Sequence, residues 1–342
     1  MEQAEPRLVI FDVLRGIGIL CVIWGHLRGG GTYTYWVYVM HMPLFFIISG
    51  YFLSARQPYN VFFLKKCRGL LIPYLKACVC FCTLSVLKSL VTERPIMPSL
   101  LKWLGGSVYG AGSVMPVPTL ILPRQQAFIG AVWFLLALFW AMLLTRKVID
   151  LHLPFLNGLM AVLMLAYVGW ATSSKVWLPW NIQAGLVASI YIYIGFWLKR
   201  TQLLEQKPSL MFLLLCVLIV LWCFKYYKGV WLVRNYFGNG WMDVLGGFAC
   251  FYLLFVVTRR FLMSCSLTRL LSWLGKNSLI VLTLHVIETF MFPWSSVQAL
   301  FVKHGMTGLN YLLPVFTMKV LWCAVGILIV SRYRRGEVRK NI

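Results

Sequence analysis

Three ionisable residues share one apolar stretch near the start of the chain: Asp12, Arg15 and His26. The segment that carries them, Leu8 to Leu27, is otherwise hydrophobic. As a helix, it would hold Arg15 and His26 about 16 Å apart along the axis and only about 20° apart around it. Asp12 precedes Arg15 by three residues and falls on the same side. An acid, a guanidinium and an imidazole are therefore aligned on one face. In hydrocarbon such groups are costly, and by default they mark a functional path. The chemistry they suit is group transfer with a proton to move. Neutral imidazole, with an ordinary pKa of about 6.5, takes a proton from an acceptor near working pH. Arginine stays charged and offers a rigid donor fork to a phosphate-bearing donor or to a leaving group. A salt bridge would explain Asp12 with Arg15 but leaves the aligned imidazole without a reason.

Other candidates are few, since the chain has five histidines and nine carboxylates. His41 lies just beyond His26, across a connection of about ten residues, so the two imidazoles can share a site at one end of their helices; an interfacial place for His41 is an equal alternative. His285 and Glu288 stand one helical turn apart on one helix face, either as part of the site or as a structural polar pair between helices. His152 and His304 fall at the ends of apolar runs and read as interfacial. The connection from Arg56 to Arg68 carries four cations, and Lys65, Lys66 and Arg68 would attract the phosphates of a nucleotide-type donor. Topology-setting charge explains that cluster about as well. No histidine pair has the spacing of a zinc motif such as H-E-x-x-H, so metal catalysis is not expected.

The elements that position these residues are membrane helices. The 342 residues are 61% hydrophobic and 12% charged, with a mean hydropathy of +0.80, far from the composition of a soluble domain. The expected fold is all-α, a polytopic integral membrane bundle forming a single domain over 1–342. Ten spans are read at about 8–27, 37–54, 70–91, 131–149, 153–172, 183–198, 209–224, 241–258, 277–293 and 309–331. The net charge of +23 is scattered in short clusters between these runs, which argues against nucleic acid as a partner and for membrane lipid. Of the 32 Lys and Arg, nineteen fall on the side of both termini, nine on the other and four within spans, so both termini are expected to be cytoplasmic. Arg7, Arg28 and Arg124 enter that tally. The outer connection from about Thr92 to Gly130 is the longest, rich in Gly and Pro, and reads as a structureless segment able to cover a substrate cleft. The ten cysteines read as reduced, with Cys67 and Cys265 cytoplasmic and the rest within spans; Cys78, Cys80 and Cys82 read as packing residues. The N-terminus does not read as a signal peptide, and no internal repeat is visible.

Beyond these single residues, the chain resembles the acyltransferase-3 superfamily of integral membrane acyltransferases. Its nearest likeness is to the branch similar to fucose 4-O-acetylases. The ordered motifs begin with Asp12-x-x-Arg15-Gly16, Arg15-x10-His26 and His41-Met-Pro-Leu-Phe-Phe-Ile-Ile-Ser49-Gly50-Tyr51. Leu71-Ile-Pro73-Tyr74 and Gly130-Ala-Val-Trp133-Phe134-Leu135 follow. Leu178-Pro-Trp-Asn-Ile-Gln, Gly195-Phe-Trp-Leu-Lys and Trp273-Leu-Gly275-Lys-Asn277-Ser278-Leu279, running on to His285, complete the set. The resemblance implies a ten-helix bundle in the bacterial inner (plasma) membrane that uses cytoplasmic acyl-CoA, usually acetyl-CoA, to acylate an extracytoplasmic glycan or lipid-linked sugar. It implies no permanently bound cofactor, with acetyl-CoA as co-substrate. The family's essential arginine and histidine fall on Arg15 and His26, and its acyl-CoA-handling basic residues on Lys65, Lys66 and Arg68. Ser49, Trp133, His285 and Glu288 are then expected to contact the acceptor or to support the site. Two departures stand out. Many members carry a histidine shortly before the tryptophan at Trp133, where this chain has Gly130-Ala131-Val132. A fused extracellular hydrolase domain is also missing, so a second transfer step of the kind found in fused relatives is not expected.

On this reading His26 is the general base and Asp12, Arg15 and His41 complete the catalytic set. Direct acyl transfer is favoured, since no obviously activated Ser or Cys accompanies His26. The competing reading is a transporter or flippase of a lipid-linked sugar or small metabolite without acyl transfer. Inverted repeats would support it, and none is visible.

Overall fold

The computed structural model describes residues 9–27, 31–120, 128–263 and 266–340, with only the backbone described for residue 32 and for 334–340. The expected start of the first span at Leu8, Arg7, Arg28, Arg124 and Cys265 lie outside the described residues. A helix coincides with each expected span. Setting aside the single helical turn Thr32–Tyr35, the first five of the chain are α1 (Val9–Gly25), α2 (Val37–Tyr51), α3 (Tyr59–Val91), α4 (Ile96–Tyr109) and α5 (Trp133–Asp150). They are followed by α6 (Phe155–Ser173), α7 (Ile182–Arg200), α8 (Leu210–Lys225) and a two-stranded hairpin, β1 (Val230–Trp231) with β2 (Tyr236–Phe237). The last five helices are α9 (Trp241–Leu262), α10 (Leu267–Lys276), α11 (Ser278–Met291), α12 (Trp294–Lys303) and α13 (Leu309–Lys340). Among the described residues, six helices are long and apolar enough to cross a membrane, and a seventh crossing forms if α10 and α11 are taken together. The chain is an all-α polytopic membrane protein.

Two expectations are corrected. The connection from Arg56 to Arg68 is not a loop: α3 begins at Tyr59, and Lys65, Lys66 and Arg68 ride on it. The helix passes through a π turn at Cys67–Leu71 just before Pro73. A proline ring clashes with the carbonyl four residues earlier, and one extra residue in the turn relieves that clash without ending the helix. The stretch from Thr92 to Gly130 is likewise not structureless, because α4 occupies Ile96–Tyr109.

Burial sorts the bundle into centre and rim. In the apolar windows of α5 and α7, 72% and 67% of residues are buried, against 22% for α6 and for α13. α5 and α7 are therefore interior, while α6 and α13 turn large apolar side chains outward, as lipid-facing helices do. Two close crossings tie α1 and α2 to their neighbours. A Cβ on Gly16 of α1 would run into the Leu271 carbonyl of α10, and one on Gly275 of α10 into the Asp12 carbonyl of α1. The same reciprocal contact joins α2 and α7, where Gly50 meets Ile192 and Gly195 meets Ile47. Small residues at such crossings let backbones approach where no hydrophobic force drives helices together.

α1 and α2 form an antiparallel pair. Phe11 and Tyr51 meet at one end, with ring centroids 4.4 Å apart, and the Tyr38 hydroxyl donates to the Gly25 carbonyl at the other (2.6 Å). α10 and α11 are bent by 76° at Asn277. α10 crosses α1 near its start, and α11 then runs along it toward His26.

Candidate active site

A cavity of about 210 Å3 lies between α1, α2, the start of α5 and the first turns of α11. On α1 its wall is Arg15, Ile19, Val22 and His26; on α2 it is Tyr38, His41, Met42, Phe45 and Ser49. Both sets follow the three- and four-residue spacing of one helix face. Because the two helices are antiparallel, Arg15 and Ser49 stand at one end and His26 and His41 at the other. Leu70, in the π turn of α3, also lines the space, as do Trp133, Ser278 and the segment Trp231–Val233 of the hairpin connection. Most of the wall is apolar, which keeps electrostatic interactions inside strong.

The imidazoles are held in a defined tautomer. His26 Nδ1 lies 2.7 Å from the Val22 carbonyl and His41 Nδ1 lies 2.6 Å from the Val37 carbonyl, each four residues back on its own helix. A carbonyl oxygen only accepts, so each Nδ1 carries the proton and each Nε2 keeps a lone pair. Tyr38 neighbours both rings, its centroid 6.4 Å from that of His26 and 5.2 Å from that of His41. His41, which the sequence left between site and interface, is buried and faces the cavity.

At the other end the Arg15 guanidinium donates to Asp12 Oδ1 at 3.3 Å and lies over the Phe52 ring at 5.3 Å. Asp12 itself is fully buried and does not reach the cavity; it holds Arg15 from behind. Ser49 donates its hydroxyl to the Phe45 carbonyl at 2.8 Å. Lys65, Lys66 and Arg68 are not brought into the cavity. The ammonium of Lys66 sits over the Phe62 ring at 5.2 Å, a ring that also receives the Arg146 guanidinium at 5.3 Å, while Lys65 and Arg68 are exposed. The described part of the Thr92–Gly130 connection does not cover the cavity either. The cover comes from Trp231–Val233, and Gly112 packs behind Trp133.

Behind His26 stands His285, with the two rings edge to face and their centroids 5.2 Å apart. His285 Nδ1 donates to Glu288 Oε1 at 2.7 Å, and Lys319 of α13 donates to both oxygens of Glu288 at 2.7 Å. Trp294 donates to the same carboxylate. Sequence reasoning found His285 and Glu288 but not Lys319, Trp294 or Tyr38. Lys319 carried a signal, as a lysine deep in an apolar run, but its partner lies 31 residues away. The remaining candidates are structural or peripheral. Asp243 accepts from the Asn239 backbone N–H at 2.8 Å, and His152 and His304 are exposed. Nine cysteines are free, and no group of three or more His, Cys, Asp or Glu placed to hold a metal occurs among the described residues.

Compared with known proteins, residues 8–331 match the acyltransferase-3 family model, described as an acyltransferase domain. No curated protein and no solved structure matches the chain.

Proposed function

The chain belongs to the acyltransferase-3 family of membrane acyltransferases, and from that membership we propose that it moves an acyl group, in the simplest case acetyl, from cytoplasmic acyl-CoA to a hydroxyl of an extracytoplasmic glycan or lipid-linked sugar. On the ordered motifs it is assigned to the branch similar to fucose 4-O-acetylases, acting in the bacterial inner membrane. The observation that carries the reading is the single cavity joining Arg15 to His26. On the helix alone these residues are separated by about three turns; the cavity supplies a path between them.

In this reading the donor enters from the Arg15 end. At about 210 Å3 the cavity is smaller than the usual ligand pocket of about 300–1,000 Å3, so it suits the acyl-thioester end of the donor and not the whole nucleotide. Lys65, Lys66 and Arg68, on the turns of α3 next to Leu70, are proposed to meet the phosphates outside. Arg15, anchored by Asp12, orients the thioester. The acceptor hydroxyl enters from the His26 and His41 end, below Trp231. His26 Nε2 takes the hydroxyl proton as the oxygen attacks the thioester carbonyl. The C–S bond then breaks, and the thiolate leaves with the proton returned from His26. Ser49 and Trp133 shape the wall. The commitment of the Ser49 hydroxyl to Phe45 supports direct transfer over an acyl-enzyme.

The test uses purified chain, acetyl-CoA and a panel of methyl glycosides, with free CoA and ester formation measured together. Acceptor-dependent CoA release is expected, and His26→Ala should lower the rate about 10²- to 10⁴-fold. Ester formation by His26→Ala at an undiminished rate would remove His26 as the base. Wild-type protein that releases no CoA with any acceptor would overturn the transfer reading and favour a transporter.

A further inference from the structure

Acyl transfer through His26 leaves without a role a charged group that is among the most deeply buried in the molecule. His285, Glu288 and Lys319 expose 1%, 3% and 3% of their side chains. The Glu288 carboxylate is clamped on both oxygens. Oε1 accepts from His285 Nδ1 and Lys319 Nζ, both at 2.7 Å, and from the Thr289 hydroxyl at 3.2 Å. Oε2 accepts from Lys319 at 2.7 Å and from the Trp294 indole N–H. The Lys319 ammonium also lies 4.2 Å from the Trp294 ring centroid.

A clamp of this kind is a poor stability device. Two charges removed from water lose much of what their attraction returns, and in a membrane the loss is greater. A second cost lies beside it. With its Nδ1 proton given to Glu288, His285 keeps a lone pair on Nε2, and that atom is buried without a hydrogen-bond partner among the described residues. An acceptor left unpaired in the interior calls for an explanation. The neighbouring imidazole is His26, 5.2 Å away.

We propose that Lys319 is a positioning residue for acyl transfer: by holding the Glu288 carboxylate it fixes His285 as a neutral Nδ1–H imidazole whose basic Nε2 supports His26. The inference rests on His26 being the base. When His26 takes the hydroxyl proton it becomes a cation. A neutral ring with a lone pair beside it stabilises that cation. Without Lys319, the Glu288 carboxylate would have only His285 to balance its charge and would draw a proton onto it. The resulting imidazolium, about 5 Å from His26, would oppose a second positive charge there. Lys319 thus keeps the compensating charge one residue further from the reaction.

Two measurements on the full chain separate this role from a structural one. The first is histidine nitrogen NMR without substrate, with the His285 signal assigned by its loss in His285→Gln. Wild-type protein should show His285 as the neutral Nδ1–H tautomer, and Lys319→Met should convert it to imidazolium. The second is kinetics with acetyl-CoA and a methyl glycoside that the wild type accepts as acyl acceptor. Lys319→Met should lower kcat about ten- to hundred-fold with the KM for acetyl-CoA little changed, as for other supporting-shell losses, and Lys319→Arg should restore most of it. If Lys319 acts through His285, adding Lys319→Met to His285→Gln should cost nothing further. An imidazolium in the wild type, a neutral ring retained in Lys319→Met, an unchanged kcat, or multiplying losses in the double variant would each overturn the assignment. Inactivity of the wild type would sink the transfer reading itself, while the NMR result would still report whether the clamp exists.

Discussion

The two cavity imidazoles are held in the same way, each Nδ1 bonded to the carbonyl one turn back. This uses local helix geometry to fix the tautomer, so the pairing costs no tertiary contact. Arg15 depends on more, since its guanidinium is shared between Asp12 and the Phe52 ring. Arg15→Lys should keep the charge but lose the planar fork, raising the KM for acyl-CoA about tenfold with a smaller change in kcat; initial rates over a range of acetyl-CoA concentrations would show whether the fork matters. Trp231 shares the mouth of the cavity with the imidazole end. Replacing it by alanine is expected to raise the KM for the acceptor and leave that for acetyl-CoA unchanged. The alignment of Arg15 and His26 was legible because both lie on one helix. Tyr38 and Lys319 were not, because their importance comes from what packs beside them.

Among the elements, α1 is set by α10 and α11 together. Gly16 and Gly275 let α1 and α10 cross backbone to backbone, and the bend at Asn277 then turns α11 so that His285 reaches His26. Gly275→Leu would drive a side chain into the Asp12 carbonyl and displace Arg15. It should destabilise by about 1–3 kcal/mol, as overpacking does, and lower activity more than an equally destabilising change on the rim. Thermal unfolding in detergent compared with initial rates would separate the two effects. The ten expected spans were readable from apolar run length, whereas α4, α10 and α12 were not. The continuation of α3 through Lys65–Arg68 was not, because charge and Pro73 both signal a break and only the π turn removes the conflict.

At the scale of the whole molecule, connections expected on one side of the membrane touch one another. The Arg146 guanidinium donates to the carbonyls of Ser54, Ala55 and Gln57, and Arg259 to that of Leu204, all on the side assigned to the cytoplasm. On the other side Tyr109 donates to Trp177, Asn181 to Gly110, and Arg234 to Ser113. This pairing supports the alternation read from the charges. Single cysteines at Lys65 and Lys228, in a variant lacking the native ones, should react with an impermeant thiol reagent from opposite faces, Lys228→Cys from outside in intact cells. Labelling of both from one face would overturn the orientation.

Composition and pattern determined that this chain is a helical membrane protein, where its long apolar runs lie and that one of them carries an aligned Arg15 and His26. These follow from quantities local to a segment: run length, helical period and the cost of charge in hydrocarbon. Tertiary structure decided the rest. It joined the two ends of α1 through one cavity, turned His41 inward, left Lys65, Lys66 and Arg68 outside, and brought Lys319 to Glu288 behind His26. Those outcomes depend on which helix faces meet, and in a bundle apolar on nearly every face the pattern of one segment does not name its neighbour.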